Sequence, residues 1–120
     1  MSLVNAVISR LKHGSIKDVV LFSDGMKIPP PPFVMVKPET GVIENTRRIR
    51  IIVHHTAGMF DALEKYVANE IEHLLPGWID DDEGRRYSLY KAGMTDITAE
   101  PGGDTYFMER IYVSPLPGMH

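Results

Sequence analysis

Apolar residues at Leu3, Val4, Val7, Ile8 and Leu11 recur every three or four positions, with polar residues between them. That period is one face of an amphipathic helix, so residues 2–13 are expected to be helical, with Ser2 capping the start and Gly14 ending it. The pattern then changes. Residues 15–32 hold one short apolar run, a Ser-Asp-Gly turn and four consecutive prolines, and read as an irregular connector. Pro29 to Pro32 cannot donate ladder hydrogen bonds and prefer an extended path, which delivers the chain to "FVMVKP" as a strand.

A polar, turn-rich stretch separates this strand from "RRIRIIVHH", where the period falls to two. Ile49, Ile51 and Val53 share one face, and Arg48, Arg50, Ile52 and His54 share the other. The two segments predict an antiparallel hairpin with a long tip. Phe60, Leu63, Val67, Ile71 and Leu74 restore the helical period, with Thr56 or Gly58 as the cap and Pro76-Gly77 as the stop. Past Trp78 and the acidic "DDDEG", residues 85–98 and 104–115 are rich in Tyr, Ile, Phe, Thr and Val, flank "AEPGGD", and predict a second hairpin. Its alternation slips near Lys91 to Gly93, where a glycine in a strand predicts a bulge. The expected fold is α+β, a single domain over residues 1–120 with its sheet and helix body at 33–115. Its sheet is mainly antiparallel, four strands in two hairpins flanked by helices.

Composition narrows the function classes. A chain of 120 residues can bury one core but not two. Its charged fraction of 24% and hydrophobic fraction of 43% are those of an ordinary globular domain. A net charge of -3, with no basic block beyond Arg47, Arg48 and Arg50, lacks the footprint of a phosphate-tracking protein. With no cysteine there is no disulfide framework, thiol nucleophile or thiolate zinc site. The apolar runs fall far short of the roughly 20 residues that span a bilayer, and the N-terminus has no signal-peptide core, so a soluble chain made in the cytoplasm is expected.

The candidate chemistry is sparse. His54 and His55 are tandem residues of a strand, so they point to opposite faces and make a poor pair for one metal ion. Residues 80–83 (Asp, Asp, Asp, Glu) lack the spacing that wraps calcium and read as a solvated acidic turn. No phosphate-cradling glycine loop, G-x-S-x-G elbow or H-E-x-x-H pair occurs. No catalytic, cofactor-binding or metal-ligating residue is therefore assigned, and no cofactor is expected. Tyr106, Met108, Arg110 and Tyr112, on alternate positions of the last strand, are residue types that favour interfaces, or else they cover a layer of helix.

Taken together, "PPFVMVKPET", "RRIRIIVHHTAGMFDALEKYVANEIEHLLPGW" and "DTYFMERIYVSP" resemble the tail terminator (tail completion) proteins of long-tailed bacteriophages and related prophage elements. The resemblance runs over most of the chain as an order of elements, without a signature motif, and the long connector at 15–32 departs from the compact family pattern. It implies a curved sheet and a homo-oligomer, a hexameric ring in the virion at the head-proximal end of the tail. Such a ring caps the tail tube protein, ends its polymerisation and docks the head-neck connector proteins, while DNA passes through the lumen without specific binding. Under this reading Arg48 and Arg50, facing Glu39, Glu44 or the acidic run of a neighbour, are candidate cross-subunit pairs, and the tip between the first two strands reaches towards a neighbour or the tube. The rivals are another neck or minor tail adaptor; a small metal-dependent α+β enzyme that gathers His54, His55 and residues 80–82; and a monomeric module that binds through Pro29 to Pro32.

Overall fold

The two-residue period read at "RRIRIIVHH" is realised as the long central strand of a sheet. In the computed structural model, which describes residues 2–39, 46–56, 58–95, 97–99 and 105–115, this strand is β3 (Thr46–Thr56), preceded by α1 (Ser2–Leu11), β1 (Val19–Leu21) and β2 (Phe33–Pro38). A long helical segment follows: α2 (Phe60–Lys65), a π-helical stretch (Tyr66–Ile71) and a last α-helical turn, α3 (Glu72–Leu74). The chain ends in β4 (Trp78–Asp80), β5 (Arg86–Ser88), β6 (Tyr90–Met94), β7 (Thr98–Ala99) and β8 (Thr105–Pro115).

The fold is α+β, as expected, but the sheet is wider than four strands. Its order is β1-β2-β3-β8-β6, with β7 also on β8, and β4 and β5 form a separate two-stranded ribbon. The antiparallel β2–β3 pairing sets Val34 opposite Val53 and Val36 opposite Ile51. The longest pairing, β3 with β8, runs from Thr46 opposite Pro115 to Thr56 opposite Thr105. The expected bulge is present, as a register shift between Lys91 and Gly93 where β6 meets β8.

Two corrections follow from packing. Residues 15–32 are not wholly irregular, because Val19 to Leu21 pair in parallel with Val34 to Val36. Parallel neighbours need a crossover of about a dozen residues, and here the proline segment supplies it in extended form in place of a helix. Residues 85–88 likewise leave the second hairpin. Tyr87 faces Ile79 in the ribbon, and both are buried.

One face of the sheet carries the core. Leu3, Val7 and Leu11 of α1 and Leu63, Val67 and Ile71 of the long helix pack on Val34, Val36, Ile49, Ile51 and Val53. Leu74 packs half-buried against this core, and Leu75, which ends the helix with a non-helical backbone, is buried as well. Phe60, at the helix start, stays largely exposed and meets Tyr106 edge to face at 4.9 Å. Neither Thr56 nor Gly58 caps this helix through a side chain; Met59 occupies the cap, and Gly58 takes a left-handed φ of 88° in the turn before it. Gly14 is tightly approached, since a Cβ there would lie 2.8 Å from Leu74 Cδ1 and would have to displace that side-chain tip. Beside it, Ser15 donates from its backbone N–H and its hydroxyl to the Glu70 carboxylate, at 2.8 and 2.6 Å, tying α1 to the long helix.

The acidic run is a turn, as read, and Asp81 organises it. Its Oδ1 accepts from the backbone N–H groups of Glu83 and Arg85, both at 2.9 Å, and its Oδ2 accepts from the Tyr87 hydroxyl at 3.2 Å. Burial pushes this carboxyl up, but those three donors outweigh it and hold it below the ordinary range. A lowered carboxyl stabilises the fold above its unfolded pKa of about 3.9, and that stabilisation is lost as pH falls through the folded value. The melting-temperature gap between wild type and Asp81→Asn should therefore be constant near neutral pH and close below about pH 4.

Tyr112 and Tyr66 show the opposite sign. Burial pushes the Tyr112 phenol up to about 12, with the Glu72 charge adding to it, and also raises Tyr66. Folding keeps these protons on, so stability should fall as pH rises above about 10, the unfolded value. Tyrosinate absorbance from these two rings should appear together with unfolding.

Candidate interaction surface

The helices cover one side of the sheet; on the other, alternate residues of β2, β3 and β8 are left to the proline crossover. Phe33, Met35 and Lys37 of β2 lie opposite His54, Ile52 and Arg50 of β3, and on the far side His54 and Ile52 lie opposite Phe107 and Glu109 of β8. The crossover runs over this face through Phe22, Ile28, Pro29 and Pro31 and leaves a groove of about 370 Å³. Its floor is apolar and aromatic. The His54 ring stacks on Phe33 at 4.4 Å and tilts against Phe107 at 5.6 Å, so this imidazole is part of the floor. His55 takes the other face, and its Nδ1 accepts from the Thr56 backbone N–H at 2.9 Å. The two histidines diverge as their strand positions require. Among the described residues no cluster of His, Asp and Glu could hold a metal ion.

The other end of the groove is charged. Arg50 Nε pairs with the Glu109 carboxylate, a group only 4% exposed, and this bond raises the Arg50 pKa. Lys37 Nζ sits 4.6 Å above the Phe22 ring. Arg48 reaches Glu39 at 3.6 Å. The arginines expected to seek partners on a neighbour thus have carboxylates within the chain. The sequence missed this because Glu109 lies 59 residues from Arg50 and only the β3–β8 register joins them. In the acidic run, Asp80 pairs with Arg86 at 2.9 Å and Glu83 pairs with Arg85. Glu44 and the rest of residues 40–45 in the expected hairpin tip lie outside the described residues.

The alternating row Tyr106, Met108, Arg110 and Tyr112 lies on the helix-covered face. Tyr112 belongs to the core, while Tyr106 and Met108 pack on it half-buried. Arg110 is buried as well. The row thus lies on the face that the helices cover, with Arg110 and Tyr112 buried. The exposed apolar residues lie elsewhere, among them Tyr90 and Met94 on the edge strand β6 and Ile28 at the groove. The sequence signal for the groove was present in Ile52 and His54, apolar or aromatic positions on the face opposite Ile51, but the crossover that walls it carries no periodic pattern.

No helix among the described residues is long and apolar enough to cross a membrane. No family model and no curated protein matches this chain. It is similar to a solved structure that bears no functional name, at 12% identity and a TM-score of 0.54, over 96% of this chain and 92% of the other. At that identity the likeness speaks for the fold alone.

Proposed function

We propose that this chain is a structural virion protein that caps a phage tail tube as a homo-oligomeric ring of six, ends tube growth and offers the docking surface for head-neck connector proteins. The observation that carries the reading is the presence of two separate unpaired surfaces on one chain. One is the aromatic groove on the outer sheet face, and the other is the β6 edge with exposed Tyr90 and Met94. A head-to-tail ring needs two different patches per subunit, and a rotation that closes turns the same contacts into a device of fixed size. Resemblance to tail terminators in element order supports the reading, and the curved sheet of that family belongs to the proposal. A lumen lined by a mildly acidic protein would let DNA pass, since phosphate binding needs clustered cations.

A second reading has one observation in its favour. The groove falls within the roughly 300–1,000 Å³ of small-ligand sites, which fits a monomeric module binding an apolar peptide or small molecule. Native mass spectrometry across a concentration series separates the two. The ring predicts a closed species of six times the 13.5 kDa chain mass. A monomer at every concentration contradicts a self-assembling ring and favours the module.

A further inference from the structure

Arg110 is a buried cation that, among the described residues, makes no ion pair. It stands on β8 between Ile51 of β3 and Met94 of β6, on the helix-covered side, and is 6% exposed. Its Nη1 donates to the Met94 sulfur at 3.0 Å, and its buried Nε has no hydrogen-bond partner. Among the described residues no carboxylate pairs with it. Glu72, the acid whose carboxyl its charge lowers, is engaged by Lys91 Nζ at 2.8 Å, and that bond is the larger cause of the shift. Glu109, its neighbour in sequence, points to the opposite face and holds Arg50. A guanidinium does not shed its proton, so burial cannot be relieved by neutralisation, and a thioether sulfur is a weak acceptor.

The cover over Arg110 is movable. Met94 is 58% exposed on an edge strand, and its unbranched side chain can swing aside. Tyr90, 51% exposed, stands on the same edge strand opposite Val113, on the other face, and Lys91 beside it is held by Glu72. A partner arriving at this edge with a carboxylate would meet the Arg110 guanidinium largely shielded from water, where a charge-assisted pair is strongest.

We propose that the β6 edge docks a second copy of this chain, with Arg110 receiving the Asp82 carboxylate of that copy. Asp82 is exposed at the β4–β5 turn, and among the described residues it has no ion pair or side-chain hydrogen bond, while the acids on either side of it are occupied. The charge left over in the acidic turn matches the charge left over at the edge, and the contact is heterologous, as a ring requires. The inference rests on the self-assembly reading and names its contact.

Two variants test it, each read by thermal unfolding and by mass in solution. Arg110→Met keeps the length and removes the charge. It should melt at or above the wild-type temperature, because an uncompensated buried charge has gone, and it should lose the oligomer. Asp82→Asn, at an exposed position, should leave folding unchanged and raise the concentration needed for assembly at least about ten-fold. A lowered melting temperature for Arg110→Met with the oligomer intact would assign Arg110 a purely internal role and overturn the proposal. Should that variant fail to fold, Asp82→Asn decides alone. A wild-type oligomer that Asp82→Asn leaves unweakened overturns this contact but not the ring, whereas a wild-type monomer at every concentration overturns both.

Discussion

Arg50→Met is expected to lower the stability of the folded chain by about 3 kcal/mol. The substitution preserves the aliphatic packing of the side chain against the groove but removes the one side-chain partner that Glu109 has among the described residues, leaving a carboxylate 4% exposed between β3 and the Thr95 segment. Breaking a buried pair from one side leaves the other charge desolvated, which costs about 3–5 kcal/mol; the partial exposure of Arg50 places this case at the lower end. Replacing both partners should be far milder, so Arg50→Met combined with Glu109→Leu should recover most of the loss. Urea unfolding of the two single variants and the double variant closes the cycle. A loss under about 1 kcal/mol for Arg50→Met would mean that water already screens the pair, as at a surface site.

The second large effect separates two neighbouring residues of β3. Ile51, 1% exposed, points under the helices, and Ile51→Ala should cost about 3 kcal/mol through lost burial and the cavity left behind. Ile52 points into the groove and is only half-buried, so Ile52→Lys should cost much less stability, about 1 kcal/mol. Its effect should appear in assembly instead, because a lysine in the aromatic floor puts an unpaired charge against whatever docks there. Unfolding and light scattering on both variants should therefore give opposite patterns, fold lost at 51 and oligomer lost at 52. Equal behaviour would mean that the two sheet faces are not divided between core and partner.

The face assignment of β3 was legible in the sequence because a strand's period of two is a local property; Ile49, Ile51 and Val53 were placed in the core by spacing alone. The bulge at Lys91 to Gly93 was legible for the same reason. The features that misled are non-local. Nothing near Val19 states that it will pair in parallel with Val34, and the run from 19 to 21 is too short to announce a strand. The burial of Tyr112 and Arg110 depends on which face of β8 the long helix covers, a choice fixed by pairing with β3 across about half the chain. The groove escaped because its wall is the proline crossover, whose extended course has no periodicity to read. The helix was read correctly in extent, and Leu74 packs half-buried against the core as read, but Leu75 just past its end is buried as well, which the helical period did not announce. The arginine pairs were assigned to a neighbour for the same reason that Glu109 was overlooked. Opposite charges in a sequence do not say whether their meeting is within one chain or between two.

The central claim is that this chain ends a tail tube, and electron microscopy of purified tail tubes incubated with it tests that claim most directly. The account predicts an added ring at one end only, and tubes that no longer lengthen when free tube protein is supplied. Unaltered tube ends and continued growth at saturating concentrations of the chain would contradict it.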